Sequence, residues 1–159
     1  MKAFRILGLA GALFAAVTAT GAMAQTAQPV ELKGDVKIDR LVTENGAARH
    51  VLSEPEVVVP GDRLIFSTAY RNAGAAAVRN FVVTNPVPEG VMLAPEGAGT
   101  LEVSVDGGKN WGKLALLAVA NGQGGTRPAQ SSDVTHLRWT LSTLAPGAQG
   151  TLTYNAIVR

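Results

Sequence analysis

The stretch Val59-Pro60-Gly61-Asp62-Arg63-Leu64-Ile65-Phe66-Ser67-Thr68-Ala69-Tyr70-Arg71-Asn72-Ala73-Gly74 decides the fold. Leu64, Phe66, Thr68 and Tyr70 alternate with Arg63, Ile65, Ser67, Ala69 and Arg71. A period of two belongs to a strand, whose successive side chains leave opposite faces of the pleat. Turn formers bracket the run, Pro60-Gly61-Asp62 before it and Asn72-Ala73-Gly74 after it.

The same pattern continues in both directions. Upstream, Val36, Ile38 and Val42 predict a first strand. Asn45-Gly46 predicts a hairpin turn, because both residues tolerate positive φ. Val51–Val59 reads as an extended edge segment, since Pro55 and Pro60 cannot donate to a ladder. Downstream, Phe81-Val82-Val83-Thr84 is β-branched and aromatic, hence a strand. Pro88-Glu89-Gly90 closes it, and Val91–Leu93 is a short strand. Leu101, Val103 and Val105 alternate, and Asp106-Gly107-Gly108 turns the chain into an expected strand over Trp111–Val119. Asn121–Ser132, rich in Gly, Gln, Pro and Ser, is the expected longest loop. Val134–Leu141 carries Leu137 and Trp139 on one face. After Ala145-Pro146-Gly147, Leu152, Tyr154, Ala156 and Val158 share the phase of a last strand. Only Lys113–Ala120 has a helix-forming composition, and glycines bound it. Seven to nine short strands, with turn signals about every 8–12 residues, predict an all-β antiparallel sandwich. Without helices between the strands there are no βαβ units.

Residues 1–24 read as a cleavable signal peptide. Lys2 and Arg5 form its positive start, Ile6–Thr20 its apolar stretch, and Ala22-Met23-Ala24 its small-x-small cleavage site before Gln25. A spanning helix needs about 20 apolar residues, and this run is shorter and interrupted by glycine. The whole chain of 159 residues has 14 Lys+Arg against 12 Asp+Glu, a net of +2. Loss of Lys2 and Arg5 leaves equal numbers of cations and anions, so the electrostatic footprint of a nucleic-acid binder is missing. No second long apolar run follows, which predicts no membrane span in the mature chain. Zero cysteines exclude disulfides, thiolate metal sites and cysteine nucleophiles. The expected location is the periplasm or the extracellular surface.

The ordered motifs resemble a known family, the bacterial conserved repeat domain of surface proteins, catalogued as domain of unknown function eleven. Pro60-Gly61-Asp62, the strand to Tyr70 and Asn72-Ala73-Gly74 are similar to its opening. Asn85-Pro86-Val87-Pro88-Glu89-Gly90 stands where the family has D-x-L-P-x-G, with Asn85 for Asp and Val87 for Leu. Leu137-Arg138-Trp139, Leu144-Ala145-Pro146-Gly147 and Gly150-Thr151-Leu152-Thr153-Tyr154 are similar to its close. The resemblance covers roughly Val57–Val158. It implies an immunoglobulin-like sandwich on exported or surface-assembled proteins, and it carries no catalytic residues. Residues 25–56 then form N-terminal strands or an extension, one domain with the 57–159 core.

Candidate sites are few. Ser104-Val105-Asp106-Gly107-Gly108-Lys109-Asn110-Trp111 fits the S-x-D-x-G-x-x-W Asp-box; it reads as a structural hairpin, with carbohydrate binding as the functional alternative. Asp62, Asp106 and Asp133 are acidic enough for calcium but lie in no dense D-x-D run, and read as turn residues. Glu102 and Asp106 sit four apart on the expected strand, a spacing that would pair carboxylates for glycoside chemistry but that strand alternation alone explains. His50 and His136 are isolated. Trp111, Trp139, Phe66, Phe81, Tyr70 and Tyr154 are the aromatics of the mature chain, mostly at core phase. No catalytic, cofactor-binding or metal-ligating residue is assigned, and no cofactor is expected. The expected function is non-enzymatic: an exported module for contact with an envelope or surface protein, or for self-association through strand edges such as Val51–Val59. The alternative is a small-ligand or glycan-binding module using the Asn121–Ser132 loop and nearby aromatics.

Overall fold

A computed structural model describes residues 29–159; the expected signal peptide lies outside the described residues. The chain folds as an antiparallel β-sandwich. One sheet has five strands in the order β2 (Ala47–Ser53), β1 (Val30–Glu44), β3 (Arg63–Asn72), β10 (Gln149–Val158), β5 (Val91–Leu93). The facing sheet has three: β4 (Val78–Pro86), β9 (His136–Leu144), β6 (Glu102–Ser104). A small hairpin of β7 (Ala118–Ala120) and β8 (Thr126–Pro128) stands apart. The eight strands of the two facing sheets fall within the expected seven to nine, and the hairpin brings the total to ten.

The core lies between the sheets. Ile38, Leu64, Tyr154, Ala156, Val91 and Leu93 from the larger sheet meet Val103 and Leu137 from the smaller one. The alternation of Leu64, Phe66, Thr68 and Tyr70 points inward, and it pairs with Ala156, Tyr154, Leu152 and Gly150 on β10. Phe66 stacks on Tyr154 with ring centroids 4.8 Å apart, and Trp139 leans on Tyr154 from the opposite sheet. Gly150 has a packing reason: a Cβ there would come within 2.7 Å of Tyr70 Cζ, so only glycine lets that ring lie across the neighbouring strand.

Two motifs are type II turns in which proline presets the first central residue and glycine takes positive φ at the second. In Val59–Asp62 and Ala145–Ala148 the fourth N–H returns to the first carbonyl at 3.0 Å, with Gly61 at φ 94° and Gly147 at φ 74°. Pro88–Val91 differs in having proline as its first residue and Glu89 as its first central one; Gly90 takes φ 83° and Val91 N–H returns to Pro88 O at 3.4 Å. Asn72 is wholly buried and joins the chain turns at one end of the sandwich. Its amide donates to the carbonyls of Ala76, Leu144 and Ala145, and its carbonyl oxygen accepts from Gly74 N–H.

Several expectations need correction. The first strand starts at Val30, not near Val36, and it pairs with β3 from Val30 to Asp39. The Asn45-Gly46 turn forms with φ of 51° and 80°, but the strand it opens ends at Ser53. Val51–Val59 is therefore not one edge segment; only its first residues are in the ladder, and beyond Glu54 the chain crosses back toward β3. Trp111–Val119 is not a strand. It holds a single bridge at Gly112, a 3-10 turn over Leu114–Leu116 and only the beginning of β7. Asn121–Ser132 is not a long open loop. The Asn121 side chain accepts the N–H groups of Gln123 and Gly125 and folds the segment into the β7–β8 hairpin. In β4, Asn80 has φ 50°, and the inward phase slips there, so that Val78 and its partner Leu144 turn in rather than Arg79 and Thr143.

Replacing Asn72 by alanine strands three carbonyls and one N–H in a dry site. Urea unfolding should show a loss of about 3 kcal/mol. Asn72→Asp should cost more, because a carboxylate would face three carbonyl oxygens; equal or smaller losses would contradict this account.

Candidate interaction surface

The Asp-box folds into a closed loop. Ser104 Oγ donates to Asp106 Oδ1 at 2.7 Å and accepts the Gly108 N–H at 2.9 Å. Asp106 also accepts the N–H groups of Lys109 and Asn110 and the Asn110 amide. These donors favour the anion and hold its pKa far below the usual carboxylate range, with the Asn110 bonds foremost. Gly107 and Gly108, both at positive φ, complete the turn. Trp111 Nε1 donates back to Gly108 O, which lays the indole over the outer face of the smaller sheet.

On that face Arg138 sits 4.5 Å from the Trp111 ring centroid and holds Glu102 through two bonds of 2.8 Å. His136 meets the same ring edge-on. Cation–π contact and the bidentate pair thus occupy the groups that a sugar site would need free. Glu102 and Asp106 do not share a strand face: β6 ends at Ser104, and Asp106 turns into its own loop. Arg138 lowers the pKa of Glu102 mainly by hydrogen bonding. Neither carboxylate is disposed to hold a proton at neutral pH, as a glycoside general acid must.

The three aspartates weighed for calcium are separate and locally engaged. Asp62 accepts the Val59 N–H at 2.9 Å and lies 3.5 Å from Arg40. Asp133 is held bidentately by Arg127, which lowers its pKa. Among the described residues no three His, Asp or Glu side chains gather as a metal site would require. His50 bonds Asp39 on the β1–β2 hairpin, remote in sequence and sheet from His136. Phe66, Tyr70, Trp139 and Tyr154 serve packing rather than an exposed platform; Phe81 is half-buried on β4. Burial raises the Tyr154 hydroxyl to about 12, and its proton points to Pro86 O.

The feature that sequence reading missed is the first half of β1. β2 pairs with β1 only from Ile38 onward, so Val30–Lys37 has β3 on one side and, among the described residues, no strand on the other. The direction of its backbone groups follows from the neighbouring bonds. Pro29 O accepts the Ala73 N–H, and strand residues of one parity share an edge. The even-numbered Val30, Leu32, Gly34 and Val36 therefore turn their N–H and C=O toward the free edge. Beside this edge the five-stranded sheet overhangs the three-stranded one. Leu32, on the inner face, stays 50% exposed. A cleft of about 460 Å³ opens there, lined by Leu32, Val36, Phe66, Pro86 and Tyr154 among others. The signal in the sequence is the alternation Glu31, Lys33, Asp35, Lys37, a polar outer face of strand period.

Two measurements check these assignments. Asp106→Ala should release Trp111, shifting its emission to longer wavelength with a lower melting temperature; an unchanged spectrum would contradict the loop's role. In alkaline titration followed by tyrosine absorbance, Tyr154 should ionise near 12. Because its folded pKa lies above the ordinary 10.0, the stability linked to it is complete below pH 10 and is lost as pH rises toward 12. No family model, no curated protein and no solved structure matches this chain, so its function is read from these residues.

Proposed function

We propose that this is an exported, non-enzymatic β-sandwich module that acts by protein–protein contact in the periplasm or on the cell surface, of the kind found in bacterial surface-protein conserved repeats. One observation carries the reading: a strand edge, Val30–Val36, that no other described strand pairs with borders an exposed apolar face. Such an edge is the template for β-augmentation, in which main-chain bonds supply affinity and the flanking pocket supplies selectivity.

The motifs that carry the family resemblance do structural work. The PGD turn ties to the last strand through Gly61 N–H to Val158 O, Asn72 clamps two turns, and Gly150 makes room for Tyr70. These are structural tasks that an antiparallel sandwich sets, and none of them is catalytic. The glycan-binding alternative has less behind it, because Arg138 covers Trp111 and the Asn121 loop is drawn into a hairpin. Export rests on the composition of residues 1–24, with cleavage between Ala24 and Gln25. No described helix is long and apolar enough to cross a membrane.

A photo-crosslinking residue at Leu32 should give protein adducts in living cells, whereas one at Thr153, on the outer face of β10, should give none. Lack of adducts at Leu32 would overturn the contact role. Quenching of tryptophan emission by cell-wall glycans would favour the glycan reading instead. The N-terminus of the purified exported protein should be Gln25; retention of Met1 would refute cleavage there.

A further inference from the structure

We infer that the free edge of β1 pairs with the same edge of a second copy, antiparallel about a twofold axis through Gly34. The inference rests on the proposed contact role and names both partner and register.

Charge sets the register. Glu31, Lys33, Asp35 and Lys37 project from the outer face, alternating in sign. Pairing about Gly34 places Glu31 against Lys37, and Lys33 against Asp35, of the second copy. On the inner face it places Leu32 against Val36, covering the half-exposed leucine. Slipping the register by two residues, in either direction, sets Lys33 against Lys33 and Glu31 against Asp35, or Asp35 against Asp35 and Lys33 against Lys37. Opposite charges across strands are favourable and like charges unfavourable; a slip of four residues pairs opposite signs again but makes two such pairs per dimer instead of four, so the register about Gly34 is preferred. A twofold pairing is self-complementary by construction.

The backbone agrees. Val30, Leu32, Gly34 and Val36 point their N–H and C=O outward, and the proposed register pairs even residues with even residues, as an antiparallel ladder requires. Gly34 supplies an independent observation. Its conformation is not left-handed, and a Cβ there would meet nothing within 4 Å, so the single sandwich does not need glycine. Glycine in mid-strand weakens a strand and marks close approach by another backbone. On the axis, the two glycines face each other.

The other edges fit a partner strand less well: Gln149–Thr153 of β10, beyond the reach of β5, carries no charge to select a register, and the outer edge of β2 carries Arg49 with no acid to alternate with it. β5 and β6 are three residues long, and β4 carries Asn80 at positive φ and ends in Pro86. β2 leaves β1 at Ser53 beside Ile38, which limits the new ladder to Glu31–Lys37. Lys37 is already shared with Glu54 and lies 3.8 Å from Asp35, so the test rests on Lys33, which faces Asp35 of the second copy.

Sedimentation of the purified exported protein over a concentration series should show a monomer–dimer equilibrium. Lys33→Glu creates two repulsions per dimer and should raise the dissociation constant roughly tenfold or more. The double variant Lys33→Glu with Asp35→Lys restores opposite signs and should restore association. Gly34→Pro removes an outward N–H without breaking a bond to β3, and should abolish the dimer while circular dichroism stays native. A strictly monomeric protein overturns this inference, yet Leu32 adducts with other proteins would leave the contact role standing. A dimer indifferent to Lys33→Glu, or one not rescued by the double variant, also overturns it and places self-association on another edge.

Discussion

Asn72 is the constraint on which the sandwich depends at one end. A side-chain amide has two donor hydrogens and one acceptor oxygen, and here they reach the chain on both sides of the core. Around it, Asn72 N–H donates to Ala148 O, and Gly147 N–H returns to Asn72 O. The turn leaving β3 and the turn entering β10 are thus spliced to the end of β9, and through β9 to the smaller sheet. Hydrophobic burial drives the sheets together, but it is non-directional. A buried polar group with every bond satisfied fixes one arrangement, because any other strands carbonyls in a dry place.

The second determinant is an inequality. Five strands face three, so the smaller sheet cannot cover the full width of the larger one. The uncovered strip falls at β1, where Leu32 remains half exposed beside unpaired backbone groups. Elsewhere the chain spends its polar chemistry inward on itself. The Asp-box closes on its own N–H groups, Arg138 links Glu102 to Trp111, and Arg127 holds Asp133. Groups that in isolation resemble catalytic or binding residues are therefore consumed by loop geometry. What is left open is an edge, which suits contact with another chain better than chemistry on a small molecule.

Much of the fold was legible, and particular residues show why. The alternation from Leu64 to Tyr70 and the Pro-Gly turns are local signals, with conformational preferences set within two to four residues. The failures were equally physical. Trp111–Val119 follows a hairpin-type turn as a strand would, but the Asp-box closure and the Gly112 bridge leave it no partner of strand length, and its Leu- and Ala-rich middle winds into a 3-10 turn. Asn121–Ser132 has the composition of an open loop, yet one asparagine side chain organises it. Val30–Asp35 does not read as a strand because Gly34 and three charged residues hide one whose inner face is only partly buried. Of the interaction surface, the idea of a strand edge was legible, while its location was not.

The sequence by itself determined the strand period, the turn positions, the cysteine-free core and the charge balance, because each depends on residue chemistry or on neighbours along the chain. Only the tertiary structure decided which strands lie at the edges, that the sheets are unequal in width, and that the alternating charges of β1 stand on an open flank. Those properties depend on pairing between residues far apart in the chain, such as Val30 with Asn72 and Ile38 with both Leu64 and Ser53. No local preference encodes such a pairing; it is settled when the whole set of apolar faces and backbone bonds is satisfied together.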